Sequence, residues 1–233
     1  MRRLSAFLTL LALLGIAAFG ALWAGIVPPA INPLQPIDLA EPDPWFLDFR
    51  IARLKRDEAG CRRVLVKPNI EATPVGDHAG DNGCGWHNAV RVATVGSARL
   101  GVDKLTCQSA ASLAMWMTHV VQPAAREHFG TSVASVQTMG TYACRNIIGD
   151  KSGSGVRSEH AKANAIDVSG FTLTDGRQIN LLKQWNDRGA SGRFLRAAHR
   201  GACRYFRTTL GPDYNAAHKD HFHLDRGWIR ACE

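Results

Sequence analysis

Two blocks of this chain concentrate residue types that bind metals and move protons. SEHAKANAID occupies residues 158–167, and HKDHFH follows at 218–223. His160, Asp167 and His223 are the natural trio to meet on one divalent ion. Two imidazoles and one carboxylate leave a fourth position open for water, the arrangement of a hydrolytic zinc centre, whereas a structural zinc closes all four positions, often with cysteine. Each imidazole must bind in its neutral form through one nitrogen, with the other nitrogen held by a partner. Asp220, His221 and Asp225 are candidates for that partner role or for acid–base work. Taken singly these residues are ordinary. An aspartate in a strand can cap a turn, and among the nine histidines His119, His128 and His199 read as surface or hydrogen-bonded residues of helical stretches. It is the first block combined with a distal His-x-His that singles out the trio. No Gly-x-Ser-x-Gly elbow offers a serine nucleophile instead.

The elements that must position these residues are legible nearby. AIDVSGF (165–171) is β-branched and aromatic and runs into the turn signal Thr174-Asp175-Gly176, so it predicts a strand carrying Asp167. HFHLD (221–225) predicts a second short strand, whose period of two puts His221 and His223 on one face. Asp167 on a neighbouring strand would face them, and His160 would reach in from the preceding loop.

Elsewhere the periodicity predicts a helix from Trp45 to about Asp57, with Phe46, Phe49 and Leu54 on its apolar stripe. Residues 64–66 and 90–95 read as strand material, and the stretch between them, with Gly76, Gly80, Gly83 and Gly85, reads as loop. A helix is expected from Cys107 to about Phe129, with Leu113, Trp116, Met117 and Val120 inward and Pro123 kinking or dividing it. Val133 to Tyr142 should be a strand leading to Arg145. Residues 146–157 should be a mobile loop bordering a groove, and a third helix should run from about Gly192 to Leu210, stopped by Gly211-Pro212. Helices and strands do not alternate regularly. The expectation is an α+β domain: a small antiparallel sheet carrying the metal site, flanked by helices, with an N-terminal membrane-anchor helix.

Arg2 and Arg3 precede an apolar run from Ala6 to Val27, long enough as a helix, at about 33 Å, to cross a hydrocarbon core of about 30 Å. Residues 1–27 are therefore read as an uncleaved signal anchor, with the two arginines on the cytoplasmic side. Residues 28–44, rich in proline, read as a semi-extended tether, and 45–233 as one domain with its own core. All six cysteines lie beyond the anchor, which suits an oxidising compartment and up to three disulfides, a local Cys61–Cys84 bond being attractive among the possible pairings. The absence of a Cys-x-x-Cys pair argues against cysteine ligation of metal. The formal charge is +8, but the basic residues are scattered and no nucleic-acid motif accompanies them. A solvated basic face that approaches anionic polymers or membrane is expected, and no nucleic-acid partner.

The order Ser-x-His-x(6)-Asp with a distal His-x-His resembles the superfamily of D-alanyl-D-alanine carboxypeptidases, lysostaphin-type endopeptidases and hedgehog domains. Within it the chain most resembles the bacterial extensin-like C-terminal domain family, through TYACRN (141–146), SEHAKANAIDVSGF (158–171), GAC and YF within 201–206, and LGPDYNAAHKDHFHLDRG (210–227). The resemblance implies Zn2+ held by His160, Asp167 and His223, with Asp220 in the place of a general base that is Glu in some relatives. His221 could take over that role. Ser158 would help hold substrate, and Arg145 would bind a substrate carboxylate or polarise the scissile carbonyl. Ala163 stands where relatives often have glycine. The implied activity is zinc-dependent hydrolysis of amide bonds in peptidoglycan peptides, by a carboxypeptidase or endopeptidase in the periplasm anchored to the inner membrane. The alternative is a non-catalytic cell-wall-binding module that retains the peptidase fold.

Overall fold

The computed structural model describes residues 2–66, 70–148 and 155–233. An apolar helix α1 (Arg2–Trp23) leads the chain, long enough to cross a membrane and with none of its residues buried against the rest. Two short helices follow, α2 (Leu47–Arg53) and α3 (Glu58–Leu65). Next come β1 (Ile70–Val75), a small separate ladder of β2 (His78–Ala79) and β3 (Gly85–Trp86), and a pair formed by β4 (Ala89–Val95) and β5 (Ala98–Thr106). Helices α4 (Cys107–Trp116) and α5 (Gln122–Phe129) lead to β6 (Val133–Gly140), then β7 (Ala165–Leu173) and β8 (Gln178–Asn180). The chain ends with α6 (Leu181–Gln184), α7 (Ala190–Tyr205), β9 (Thr208–Leu210), β10 (Phe222–Asp225) and β11 (Ala231–Cys232).

Among the described residues the sheet is mixed and larger than expected, with nine strands in the order β1-β4-β5-β6-β7-β10-β9-β11 and β8 added on β7. Its pairs are antiparallel except β5 with β6 and β9 with β11. The first parallel pair needs a long crossover, and α4 and α5 supply it. Every residue of α4 is buried, as befits a helix without a polar face. A π turn (Met117–Val121) joins α4 to α5 just ahead of Pro123, which divides the helix as expected, because proline cannot donate to the ladder. A Cβ at Gly201 would come within 2.3 Å of Val120, so glycine there allows α7 to lie on the π turn. Trp116 donates to the carbonyl of Ala198 on α7 at 2.8 Å, and Phe171 and Phe194 meet edge to face at 5.1 Å beside it.

Several sequence expectations are corrected. Val64 and Leu65 belong to α3, where they are buried, and not to a strand; Val66 follows the helix. The region read as loop contains β1, β2 and β3. Helix α7 stops at Tyr205, before Gly211-Pro212, because Thr208, Thr209 and Leu210 are taken by ladder bonds to β10 and β11. Cys61 pairs with Cys107 and not with Cys84; α3 lies against the start of α4, which brings those two sulfurs together. Cys84 pairs with Cys144, and Cys203 with Cys232. The expected groove-side loop over 146–157 falls partly on residues 149–154, outside the described residues.

The proline-rich segment does not hang free as a tether. Ile37 and Leu39 are buried in the core. Arg50 donates to the carbonyl of Pro36 at 2.6 Å, Arg53 to that of Leu34 at 2.7 Å, and Tyr205 to that of Pro42 at 2.8 Å. The segment runs through turns closed at Pro28, Asn32 and Asp38, and these turns leave the carbonyls of Leu34, Pro36 and Pro42 to side-chain donors.

Candidate functional site

The register of β7 against β10 sets the geometry. Asp167 and His223 are direct antiparallel partners, so their side chains share one face at short range. His160 arrives from a 3-10 turn (Glu159–Lys162) immediately before β7. Ser158 opens that turn: its hydroxyl accepts from the His160 amide at 3.3 Å. Ala163 closes it in the left-handed region, at φ 50°. A residue with a Cβ costs about 1–2 kcal/mol there relative to glycine, and the Ala163 methyl is fully buried.

Asn164 pins the turn. Its side-chain oxygen accepts from Thr106 at 2.6 Å, Gln108 at 2.8 Å and Ser109 at 2.9 Å, all at the start of α4. Its amide donates to Glu159 at 2.6 Å. The residue between two candidate ligands is thereby fixed to the central helix.

Three donor atoms converge. His160 Nε2, Asp167 Oδ1 and His223 Nδ1 lie 3.1 Å from one another on every edge of the triangle. Ligands about 2.0–2.1 Å from a tetrahedral zinc sit about 3.3–3.4 Å apart, so an opening of a few tenths of an ångström would accommodate the ion. The donor set, two nitrogens and one carboxylate oxygen, also suits zinc. His223 Nε2 donates to Asp225 Oδ2 at 2.9 Å, which leaves Nδ1 aimed at the triangle.

Electrostatics favour a charged pair while no ion is bound. Burial opposes ionisation of Asp167, yet hydrogen bonds from His160 and His223 hold its carboxyl far below the usual carboxylate range. Burial likewise opposes protonation of His223, but its bonds to Asp167 and Asp225 push it up to about 9. Its proton occupies the place a cation would take.

His221 stands at the edge of the triangle, with Nε2 3.7 Å from Asp167 Oδ1. Its Nδ1 is held by Asp220 at 2.9 Å. The two residues thus form a relay in which Asp220 orients and His221 faces the site. His218, which sequence reasoning did not single out, joins them: its ring lies 5.2 Å from that of His221 and 5.9 Å from that of His223. Burial and these two neighbours push it down to about 4. The signal was present in the i, i+3, i+5 histidines of HKDHFH, but only the short 3-10 turn at Ala216–His218 folds the first of them back.

Asp167 and His223 line an open cleft of about 370 Å³, with His160 buried beside them. Arg145 and Ser158 line it, as the expected substrate contacts would. Met139, Ile148, Val156, Trp228 and Ile229, all exposed, give it an apolar rim that the sequence did not reveal.

Residues 59–233 match the family model described as extensin-like protein C-terminus. The chain belongs to this family. No curated protein and no solved structure matches it. In this extensin-like domain the matched region holds every residue of the triangle and of the Asp220–His221 relay.

Proposed function

We propose that this extensin-like domain is a zinc-dependent peptidase that hydrolyses amide bonds in peptidoglycan peptides on the outer side of the bacterial inner membrane. The observation that carries the reading is the convergence of His160, Asp167 and His223 at mutual distances of 3.1 Å beside an open cleft. A zinc ion held there supplies Lewis acidity and brings the pKa of a bound water to about 7.

The chain's own residues supply the rest. Asp220 fixes the tautomer of His221, so that Nε2 is the nitrogen free to take a proton near the site and return it to a leaving amine. This assigns the proton-handling role to His221, with Asp220 as its positioning residue. Arg145, half-buried in the cleft wall, offers a cation for a peptide carboxylate. The apolar rim excludes water from the peptide backbone and strengthens each of these interactions. Three disulfides fit an oxidising compartment, and α1 fits a single membrane crossing.

His160→Ala should abolish zinc retention, read by elemental analysis, together with release of new amine termini from purified peptidoglycan. Undiminished turnover in that variant would exclude the assignment. One second reading is a wall-binding module that keeps the fold and does not cut, favoured by Asp220 standing where some relatives have the longer Glu and by Ala163 where relatives often have glycine. Binding to peptidoglycan without chelator-sensitive release of amines would establish it.

A further inference from the structure

The expected apolar stripe of the first domain helix holds for Leu54, which is buried, but Phe46 and Phe49 turn outward and expose aromatic surface. The buried face of α2 is Arg50 and Ile51, continued by Leu54, while Phe49 is 51% exposed. Trp45 and Phe46, which precede the helix, are 62% and 52% exposed. Phe46 adopts φ 58°, ψ 34°, a left-handed conformation unfavourable for a bulky side chain and kept where the surroundings impose it. Three neighbouring aromatics on the surface of a basic domain call for a partner.

The hydrogen bonds show what lies beside them. Asn32 donates to the carbonyl of Leu22 in α1 at 2.8 Å, and its own side-chain oxygen accepts from Leu34 at 2.9 Å. The carbonyl of Leu34 accepts from Arg53 at 2.7 Å. Three hydrogen bonds therefore connect the end of α1 to α2. Arg53 and Phe49 are four residues apart, so they share one face of α2. The face that holds the strap formed by residues 32–34 is the face that carries the exposed phenyl ring.

We infer that Trp45, Phe46 and Phe49 form a docking surface that inserts into the interface of the bilayer crossed by α1. The inference rests on the anchoring reading of α1. Continuity with that helix selects the lipid as occupant, since the strap holds the aromatics beside the point where the chain leaves the membrane. Aromatic rings favour this interfacial depth, and the exposed Lys55 and Arg56 that follow suit anionic headgroups. The same helix is wired to the site: Asp48 accepts from Arg226 at 2.7 Å, one residue after Asp225, the partner of His223. Docking would give the cleft a fixed orientation above the bilayer, restricting it to substrates within a set height.

The test uses the full chain in nanodiscs of phosphatidylethanolamine and phosphatidylglycerol whose acyl chains are brominated near the headgroup. Trp45→Phe should lower the amount of indole emission quenched by about one-half, because Trp23 and Trp45 would be the two indoles at interfacial depth. Trp228→Phe, in the cleft, should leave it unchanged. Phe49→Glu, on an exposed site, should also lower the quenching while circular dichroism stays the same. An unchanged amount of quenched emission in Trp45→Phe overturns the docking while leaving the anchor intact. Protection of Trp45 that appears only with two copies per disc assigns the patch to self-association and overturns it as well. Release of the intact chain from membranes by alkaline carbonate removes the anchoring reading, and the docking with it.

Discussion

His223 and Asp225 sit two residues apart on β10, on the same face, and the imidazole spends its Nε2 proton on that carboxylate at 2.9 Å. The consequence is directional. Nδ1, and not Nε2, is presented to Asp167 and His160. Removing Asp225 frees the ring to take the other tautomer. Asp225→Asn should weaken zinc binding by about 10–100-fold, as loss of a partner behind a ligand imidazole does. Competition against a chromophoric chelator measures it, and unchanged affinity would remove Asp225 from that role.

The proton on His223 gives the metal-free protein a defined pH response. The folded value of about 9 lies above the ordinary 6.5, so its stabilisation is complete below pH 6.5 and is lost as pH rises toward 9. His218 has the opposite sign: pushed down to about 4, it favours the fold above pH 6.5, and that contribution is lost as pH falls toward 4. Metal-free stability should therefore peak near pH 6.5 and decline on both sides. Zinc must displace the His223 proton, so affinity should rise about tenfold per pH unit up to about pH 9. Urea titrations between pH 5 and 9, with chelator or with zinc, test both trends.

The Asp220–His221 relay separates proton handling from metal holding. His221→Ala should lower kcat by about 10²–10⁴-fold with zinc content retained. Asp220→Asn should give a smaller loss, together with a shifted pH–rate profile. Loss of zinc in His221→Ala would instead make it a ligand.

Asn164 is the structural hinge of the site, being buried and bonded to Thr106, Gln108, Ser109 and Glu159. Asn164→Ala strands several buried polar groups and should cost about 2–3 kcal/mol. Chemical denaturation would show the loss. A reduced zinc affinity in the folded variant would show that it positions His160 as well as supporting the fold.

The disulfide Cys84–Cys144 ends one residue before Arg145. Replacing both cysteines with serine should cost about 2–4 kcal/mol by freeing the unfolded chain. It should also raise KM more than it lowers kcat, because Arg145 loses its tether. Steady-state kinetics on a soluble cell-wall peptide would reveal the split.

The local chemistry was legible in the linear chain. β-branched alternation at 165–171 and 222–225 announced the two strands, the turn signals bounded them, and the paired blocks named His160, Asp167 and His223 as partners. Those signals survive because strand period and turn chemistry are set by neighbours in sequence. The tertiary structure decided the rest. It cut α7 at Tyr205 so that Thr208 could join the sheet, paired Cys61 with Cys107 across two helices, and turned Phe49 outward while burying Arg50. It drew the proline-rich segment onto the domain and folded His218 beside His221. Each of these outcomes depends on hydrogen-bond partners or buried area contributed by distant residues, which no window of sequence contains.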